Sequence, residues 1–150
     1  MHLASTIDIA APVREVYALA QDVGRWPRML PHYRYVRILA QAGNQRRLEM
    51  AARRDWIPVR WQAVQRLDPL TPAMEFTHLA GWTTGMEVAW IFAATPAGTN
   101  VTVTHELDVR RFPLLGDWIG RRLIGTFFVE TIAGRTLERM KQLAEGARVG

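Results

Sequence analysis

Between residues 33 and 110 the sequence alternates apolar and polar residues with a period of two. Such alternation is typical of half-buried β-strands, and turn residues divide it into six candidate strands: 33–42, 46–56, 59–67, 73–80, 85–95 and 100–110. One stretch of helical periodicity follows, from about residue 115 to residue 145. A run of strands closed by a single helix indicates an α+β domain in which an antiparallel sheet wraps around that helix.

The residues before this region add a strand and two short helices. Residues 3–9 alternate in the same way, with Ile7 and Ile9 on the apolar side. A helix is expected to begin near Pro12, because proline is tolerated in the first helical turn, and to end at residues 22–24. A second, short helix opens at Trp26-Pro27 and ends before Pro31. No linker or internal repeat interrupts the chain, so residues 1–150 are predicted to form one domain.

Composition narrows the class of protein. A chain of 150 residues with 49% hydrophobic and 22% charged residues suits one soluble domain. The chain has no cysteine, which excludes thiol nucleophiles, disulfides and iron–sulfur clusters. No signal peptide is visible at the start, and the most apolar stretch, residues 112–134, carries Asp117, Arg121, Arg122 and Glu130, too many charges for a transmembrane helix. We therefore expect a cytoplasmic protein.

The positive charge is spread along the chain. The net charge is +5 and Lys141 is the only lysine, so arginine supplies almost all of it. Many arginines alternate with apolar residues, which is typical of the solvated face of a sheet and not of a nucleic-acid-binding ribbon or helix. The four histidines lack metal-ligand spacing, so we expect no metal and no other cofactor. An anionic protein or lipid surface stays open as a partner.

The strand pattern predicts which side chains face the helix. Most are apolar, aromatic or methionine; those favoured as ligand-binding are Met50, Trp61, Phe76, Met86 and Trp90, and Trp56 is expected to face inward with them. Four polar residues are expected on the same face: Arg54, Gln65, His78 and His105. A buried polar group without a partner costs about 1–3 kcal/mol. The set therefore favours a ligand cavity, although each residue alone could be satisfied within a dry core.

The long helix also favours a cavity. Its apolar stripe includes Val129 and, extended backwards, passes through Gly125 and Thr126. Glycine inside a helix costs about 1 kcal/mol relative to alanine, and space for a ligand is one reason to accept that cost. Thr126 and Val129 are therefore candidate ligand-binding residues. The opposite side of the helix carries four large apolar residues, which are either covered by the short helices or form a patch for a homodimer, carrier or membrane surface: Leu123, Ile124, Phe127 and Phe128.

The N-terminal third resembles a known superfamily. Residues 7–17 (IDIAAPVREVY), followed by residues 22–27 (DVGRWP), resemble the opening of START-like, or SRPBCC, proteins. Residues 102–110 and 136–141 are also similar to this superfamily, and the nearest branch is the polyketide cyclase/dehydrase and lipid-transport group. The resemblance implies a helix-grip fold: a curved seven-stranded antiparallel sheet around a long C-terminal helix, with a deep hydrophobic cavity between them.

The resemblance extends to single positions. A tryptophan after the first helix and a tyrosine seven residues on, both found in the cyclases, match Trp26 and Tyr33. A cyclase tryptophan on a middle strand matches Trp61, but the serine and arginine that follow it there are replaced by Ala63 and Gln65. Trp26, Tyr33 and Gln65 therefore join the candidate ligand-binding residues, without the polar pair assigned to ketone handling in the cyclases.

Two functions follow from the resemblance and the inward face. The favoured one is binding of a hydrophobic small molecule such as a polyketide, quinone or lipid. The alternative is a cyclase or aromatase that performs aldol cyclisation or dehydration of a polyketone chain bound to an acyl carrier protein. Such an enzyme needs a base, for which His105 and His78 are candidates, and an enolate donor, for which Arg54, Tyr33 and Gln65 are candidates. A role as an interaction protein on an acidic partner is a third alternative.

Overall fold

Seven strands and three helices make up the described part of the chain. The computed structural model describes residues 2–54, 56–81, 83–107 and 131–149. The strands are β1 (His2–Ile9), β2 (Tyr33–Ala42), β3 (Gln45–Arg54), β4 (Ile57–Asp68), β5 (Ala73–Ala80), β6 (Glu87–Thr95) and β7 (Gly98–Glu106). The helices are α1 (Val13–Gln21), α2 (Trp26–Met29) and α3 (Gly134–Val149), and a single 3₁₀ turn, Val23–Arg25, lies between α1 and α2.

All strands belong to one antiparallel sheet in the order β1-β7-β6-β5-β4-β3-β2. Consecutive strands from β2 to β7 are neighbours, whereas β1 crosses to the far edge and pairs with β7. The predicted seven-stranded sheet, the two short helices after the first strand and the C-terminal helix are confirmed. The predicted first half of that helix, and the last residues of the strand predicted over 100–110, lie outside the described residues.

Irregular pairing bends the sheet on one side. The β2–β3 register shifts twice, between Tyr33 and Tyr35 and between Ile38 and Ala40, and the β4–β5 register shifts beside Ala63. A bulge inserts a residue into one strand only, so the strand bends and its twist increases. These shifts all lie in the half of the sheet formed by β2 to β5.

The C-terminal helix is fastened to the corner between β1 and α1. The ammonium group of Lys141 donates to the carbonyl oxygen of Asp8 at 2.9 Å, and Glu145 accepts from the backbone N–H of Ala10 at 2.8 Å. The Ala10 N–H, and then the Lys141 side chain, lower the pKa of the Glu145 carboxyl. The start of β7 meets the same corner, because Thr99 donates to the carbonyl oxygen of Ala11 at 2.7 Å. This corner fixes the position of α3 over the sheet.

The inner face of the sheet is largely the predicted one. The side chains predicted to face inward from β5 and β7 are buried, as are Met50, Trp61 and Trp90. The prediction for Trp56 is wrong: its side chain is 84% exposed, because β3 ends at Arg54 and Trp56 lies in the turn before β4. Ala94 is also exposed rather than buried, since β6 ends one residue later.

Candidate ligand cavity

A cavity lies between the inner face of the sheet and the beginning of the C-terminal helix. The volume within it that a water-sized molecule can occupy is about 50 Å³. The lining is mostly apolar and combines strand residues with α2 and the residues around the start of α3: Trp26, Tyr33, Met50, Trp61, Phe76, His78, Met86, Val88, Trp90, Val103, His105, Ile132, Ala133 and Thr136. A mostly apolar lining with a few polar groups is typical of small-molecule sites.

Trp26 forms the centre of an aromatic cluster along this cavity. Its ring centroid lies 5.2 Å from that of Tyr33, 6.2 Å from that of Phe76 and 6.0 Å from that of Trp90. The indole N–H donates to the carbonyl oxygen of Ala20 at 3.1 Å, which fixes the ring. Proline in the first turn of α2 suits a helix that must start abruptly, and this start directs Trp26 toward the sheet. The cluster offers a ligand several flat, rigid apolar surfaces.

Two histidines face the cavity from strands on either side of β6. Val88 of β6 pairs with Phe76 on β5 and with His105 on β7. His78 follows Phe76 on the same face of β5, so the two histidines lie on the strands that flank β6. The His78 ring stacks on Trp61 at a centroid distance of 5.7 Å, and its Nδ1 lies 2.8 Å from the hydroxyl oxygen of Thr83. Nδ1 of His105 is buried, and nothing in the described ranges lies within hydrogen-bond distance of it. The ring of His105 lines the cavity, and its Nδ1 is a buried polar atom without a partner among the described residues.

Burial keeps both rings uncharged near neutral pH. Burial, with a smaller contribution from the neighbouring His105, lowers the pKa of His78 to about 3. Burial alone lowers the pKa of His105 to about 4. A neutral imidazole carries one N–H donor and one lone pair. The cavity thus holds neutral groups that can accept a proton or a hydrogen bond.

A second polar group joins the helix to the start of β2. The Thr136 hydroxyl donates to the carbonyl oxygen of Ile132 at 2.7 Å and lies 2.9 Å from Nε2 of His32. A hydroxyl has one proton, so His32 is the donor in the second bond. Burial, together with the charge of Arg135, lowers the pKa of His32 to about 4, and burial raises the pKa of Tyr33 well above its usual value. Tyr33 and Thr136 are therefore neutral hydroxyl groups at the cavity wall.

The structure brings most of the sequence-predicted site residues together. The residues placed on the cavity wall are Trp26, Tyr33, Met50, Trp61, Phe76, His78, Met86, Trp90 and His105. Gln65 is buried but does not line this cavity. Its Nε2 donates to the carbonyl oxygen of Gln21 at 3.3 Å, and its Oε1 accepts from Arg46 at 3.4 Å. Gln65 is thus satisfied within the protein and is not available as an anchor here.

The structure does not place the side chains of three other predicted site residues, and two polar residues near the cavity, His32 and Thr136, were not singled out as site residues. Thr126 and Val129 lie outside the described residues, as do the four apolar residues Leu123, Ile124, Phe127 and Phe128. Arg54 ends β3, but its side chain is outside the described part. His32 was missed because it precedes a strand and belongs to no periodic pattern. Thr136 stood on the predicted apolar stripe of the helix, where its hydroxyl was the available signal.

Within the described ranges, no three histidine, aspartate or glutamate side chains are grouped to hold a metal ion. None of the helices described there is long and apolar enough to cross a bilayer.

The fold and the cavity agree with a comparison against known families. The profile of the family described as polyketide cyclase/dehydrase and lipid transport matches residues 9–141. The chain belongs to this family. A curated relative, the granaticin polyketide synthase bifunctional cyclase/dehydratase of Streptomyces violaceoruber, is 32% identical over 107 residues, which are 69% of this chain and 33% of the relative. The match therefore spans about a third of that relative's length.

Solved structures share the fold of this polyketide cyclase/dehydrase family member. The Zhui aromatase/cyclase from Streptomyces sp. R1128 superposes with a TM-score of 0.82 at 19% identity, covering 97% of this chain and 93% of that one. A START superfamily protein from Mycobacterium smegmatis gives a TM-score of 0.72 at 19% identity, covering 95% and 98% of the two chains. These similarities confirm the predicted helix-grip, START-like fold.

Proposed function

We propose that this family member binds a hydrophobic small molecule, of polyketide, quinone or lipid type, between the sheet and α3. The aromatic wall of the cavity carries this proposal, because four large rings converge there without filling the space completely. Burial of apolar ligand surface against such a wall supplies about 25 cal/mol per Å². Family membership supports the proposal at the level of ligand class.

Two polar groups would orient the ligand. His105, with its unpartnered Nδ1, and Thr136 line the wall beside apolar neighbours. The Thr136 hydroxyl donates its proton to Ile132 and accepts from His32, so it could offer a ligand only its remaining lone pair. A carbonyl or hydroxyl group of the ligand that bonds to Nδ1 would relieve the cost of leaving that atom buried and unpaired, about 1–3 kcal/mol. The favoured ligand is thus an apolar molecule with at least one oxygen function.

Trp61→Ala and Trp90→Ala are each expected to weaken ligand binding about tenfold or more, because each removes a ring from the wall. Native mass spectrometry and organic extraction of the purified protein would identify a retained compound, and calorimetric titration would compare affinities. Trp56→Ala is the matched control, since it removes the same side chain from an exposed turn. Unchanged affinity in both cavity variants would contradict the proposed wall.

A second candidate function is cyclisation or dehydration of a polyketone chain, and the free Nδ1 of neutral His105 favours it. In such a reaction the imidazole takes an acidic α-proton from the chain and leaves an enolate. The enolate carbon bonds to a second carbonyl carbon, and the resulting alkoxide takes back a proton. The protonated phenol of Tyr33, also on the cavity wall, would stabilise the oxygen that develops charge. An acyl carrier protein is the partner proposed to deliver the chain.

If this reaction occurs, His105→Ala is expected to lower turnover at least about a hundredfold, the usual contribution of a general base. The base acts in its neutral form, so a pKa of about 4 predicts constant turnover from pH 8 down to pH 5. Product formation from a carrier-bound polyketone chain would be followed by mass spectrometry. His2→Ala, at the exposed start of β1, is the control. Undiminished turnover in His105→Ala would exclude His105 as the base, and turnover that declines with an apparent pKa near 6.5 would contradict the lowered pKa of its ring.

The domain organisation, the location in the cell, the catalytic residues and the oligomeric state are also proposals. We treat residues 1–150 as one domain that acts in the cytoplasm, and the catalytic candidates His105, His78 and Arg54 as relevant only to the second function. A homodimer through the apolar residues of 123–128 is testable by light scattering.

A further inference from the structure

The hairpin between β3 and β4 ends in an exposed apolar tip. Trp56 is 84% exposed and Ile57 is 39% exposed, and Pro58 beside them is exposed as well. Exposed runs of three or more apolar residues are disfavoured in folded domains unless they serve a function. We call residues 56–58 the apolar tip.

Arginines flank the apolar tip on both sides. Arg53 stands directly opposite Pro58 in the β3–β4 register and lines a cleft with Arg135 and Arg139 of α3. Pro58 itself lines a groove on the other side with three further arginines: Arg34, Arg37 and Arg60. We call these six residues the arginine belt.

Arginines outnumber acidic residues around the apolar tip, although Asp55 directly precedes Trp56 in the sequence. Arg139 already donates to the carbonyl oxygen of Met29 and to Gln142. Glu138 is the acidic residue among the described residues lining the two depressions. Glu49 lies 3.6 Å from the guanidinium of Arg37, which also sits over the Tyr35 ring at 4.3 Å. The opposite edge of the sheet, by contrast, carries acidic residues on neighbouring strands, where Glu87 pairs in register with Glu106. Positive charge is therefore concentrated around the tip.

We propose that this end of the molecule docks onto an anionic lipid bilayer, with Trp56 and Ile57 inserted at the interface and the arginine belt on lipid phosphates. Tryptophan is enriched at membrane–water interfaces because its ring is amphipathic. The planar guanidinium matches phosphate geometry, and clusters of four to eight basic residues are characteristic of surfaces that bind anionic lipids. The apolar tip provides the tryptophan for the membrane–water interface, and the arginine belt provides guanidinium groups for the lipid phosphates.

The shape of the tip favours a bilayer over a macromolecular partner. A nucleic acid would stack a base on Trp56 but would leave Ile57 and Pro58 in water. An acidic protein would need a preformed pocket for a projecting wedge of three apolar residues. A bilayer deforms around three projecting apolar side chains. It buries them near its interface, at a depth where the guanidinium groups of the arginine belt still reach the lipid phosphates.

The docking surface lies beside the cavity wall. Arg135 of the belt lies between Ala133 and Thr136, which both line the cavity. Docking in this orientation would bring that wall close to a membrane in which hydrophobic molecules dissolve. The proposal concerns the surface alone and holds whether the cavity carries a ligand or catalyses a reaction.

Vesicle flotation with the full chain tests the proposal. We expect binding to vesicles of phosphatidylcholine mixed with phosphatidylglycerol, little binding to phosphatidylcholine alone, and loss of binding as salt is raised. Trp56→Ala should lower the partition coefficient about tenfold, and Arg53→Gln about fivefold. Both side chains are exposed, so thermal melts should show that the variants remain folded.

Two matched variants serve as controls. Leu70→Ala removes an apolar side chain that is 94% exposed, in the turn at the other end of β4. Arg66→Gln removes an arginine that is paired with Glu75 at 3.3 Å. Neither should change the partition coefficient. Equal loss in Leu70→Ala and Trp56→Ala, equal binding to both vesicle types, or binding to RNA or an acidic protein in place of vesicles would overturn the proposal.

Discussion

Lowering the pH from 7 to 5 is expected to reduce the free energy of unfolding by about 4 kcal/mol, through His78 and His105 alone. Their pKa values are lowered in the folded protein to about 3 and about 4, whereas in the unfolded chain each is about 6.5. Between about pH 4 and pH 6.5 the unfolded chain therefore binds protons that the native protein does not. Stability rises with pH through this window and is lost on acidification. His32 contributes in the same direction.

Urea denaturation at pH 7 and pH 5 measures this loss. Because typical domains have only about 5–15 kcal/mol of stability, the change should be visible as a large shift in the denaturation midpoint. His105→Gln places an uncharged side chain at the same position and should reduce the loss of stability by about 2 kcal/mol, which is half of the contribution of His78 and His105. His2→Gln, on the exposed end of β1, should leave the dependence intact. A wild-type midpoint that is the same at both pH values would contradict the dry environment of the two rings.

Gly98→Ala is expected to reduce the free energy of unfolding by about 3 kcal/mol or more. Gly98 begins β7 with φ at 147°, a conformation that residues with a Cβ rarely adopt. A Cβ there would lie 2.3 Å from the carbonyl oxygen of Ile9 and 2.8 Å from the backbone nitrogen of Ala11. Both atoms are backbone, so neither can move aside without shifting the corner where β1 meets α1. The substitution therefore loosens the attachment of α3 as well.

Gly43→Ala is the matched control for this effect. Gly43 has φ at 57°, and nothing lies within 4 Å of a Cβ placed there. The cost should be only the conformational penalty of a left-handed residue, about 1–2 kcal/mol. Equilibrium denaturation of the two variants separates conformational strain from steric overlap. Equal destabilisation would mean that the close approach of β1 to Gly98 is relieved at little cost.

Alternation predicted β4 to β7 well because one face of these strands is buried along most of their length. It failed at Trp56, since a period of two carries no information about where a hairpin turns. It also could not separate Gln65 from His105. Both face inward, but the cavity occupies only part of the inner face, and Gln65 lies in the part closed by Gln21 and Arg46.

The hydrogen bond between His32 and Thr136 could not be predicted from the sequence for a different reason. The two residues are 104 positions apart, and His32 lies in a short connection with no periodicity. Only the docking of α3 over the sheet brings them together. The aromatic cluster was easier to anticipate, because the resemblance to the cyclases indicated Trp26, Tyr33 and Trp61 directly.

The pairing of β1 with β7 has a consequence for biosynthesis. His2 pairs with Glu106 on the neighbouring strand, so β1, the first strand of this sheet to be synthesised, must wait for the last strand of the sheet. At about 5–20 residues per second, translation takes on the order of 5–20 s to supply that partner. During this interval β2 to β6 can form hairpins with their neighbours, while β1 remains an unpaired segment. Cotranslational folding of this sheet should therefore proceed from its middle outward, with β1 added only after β7 has been synthesised.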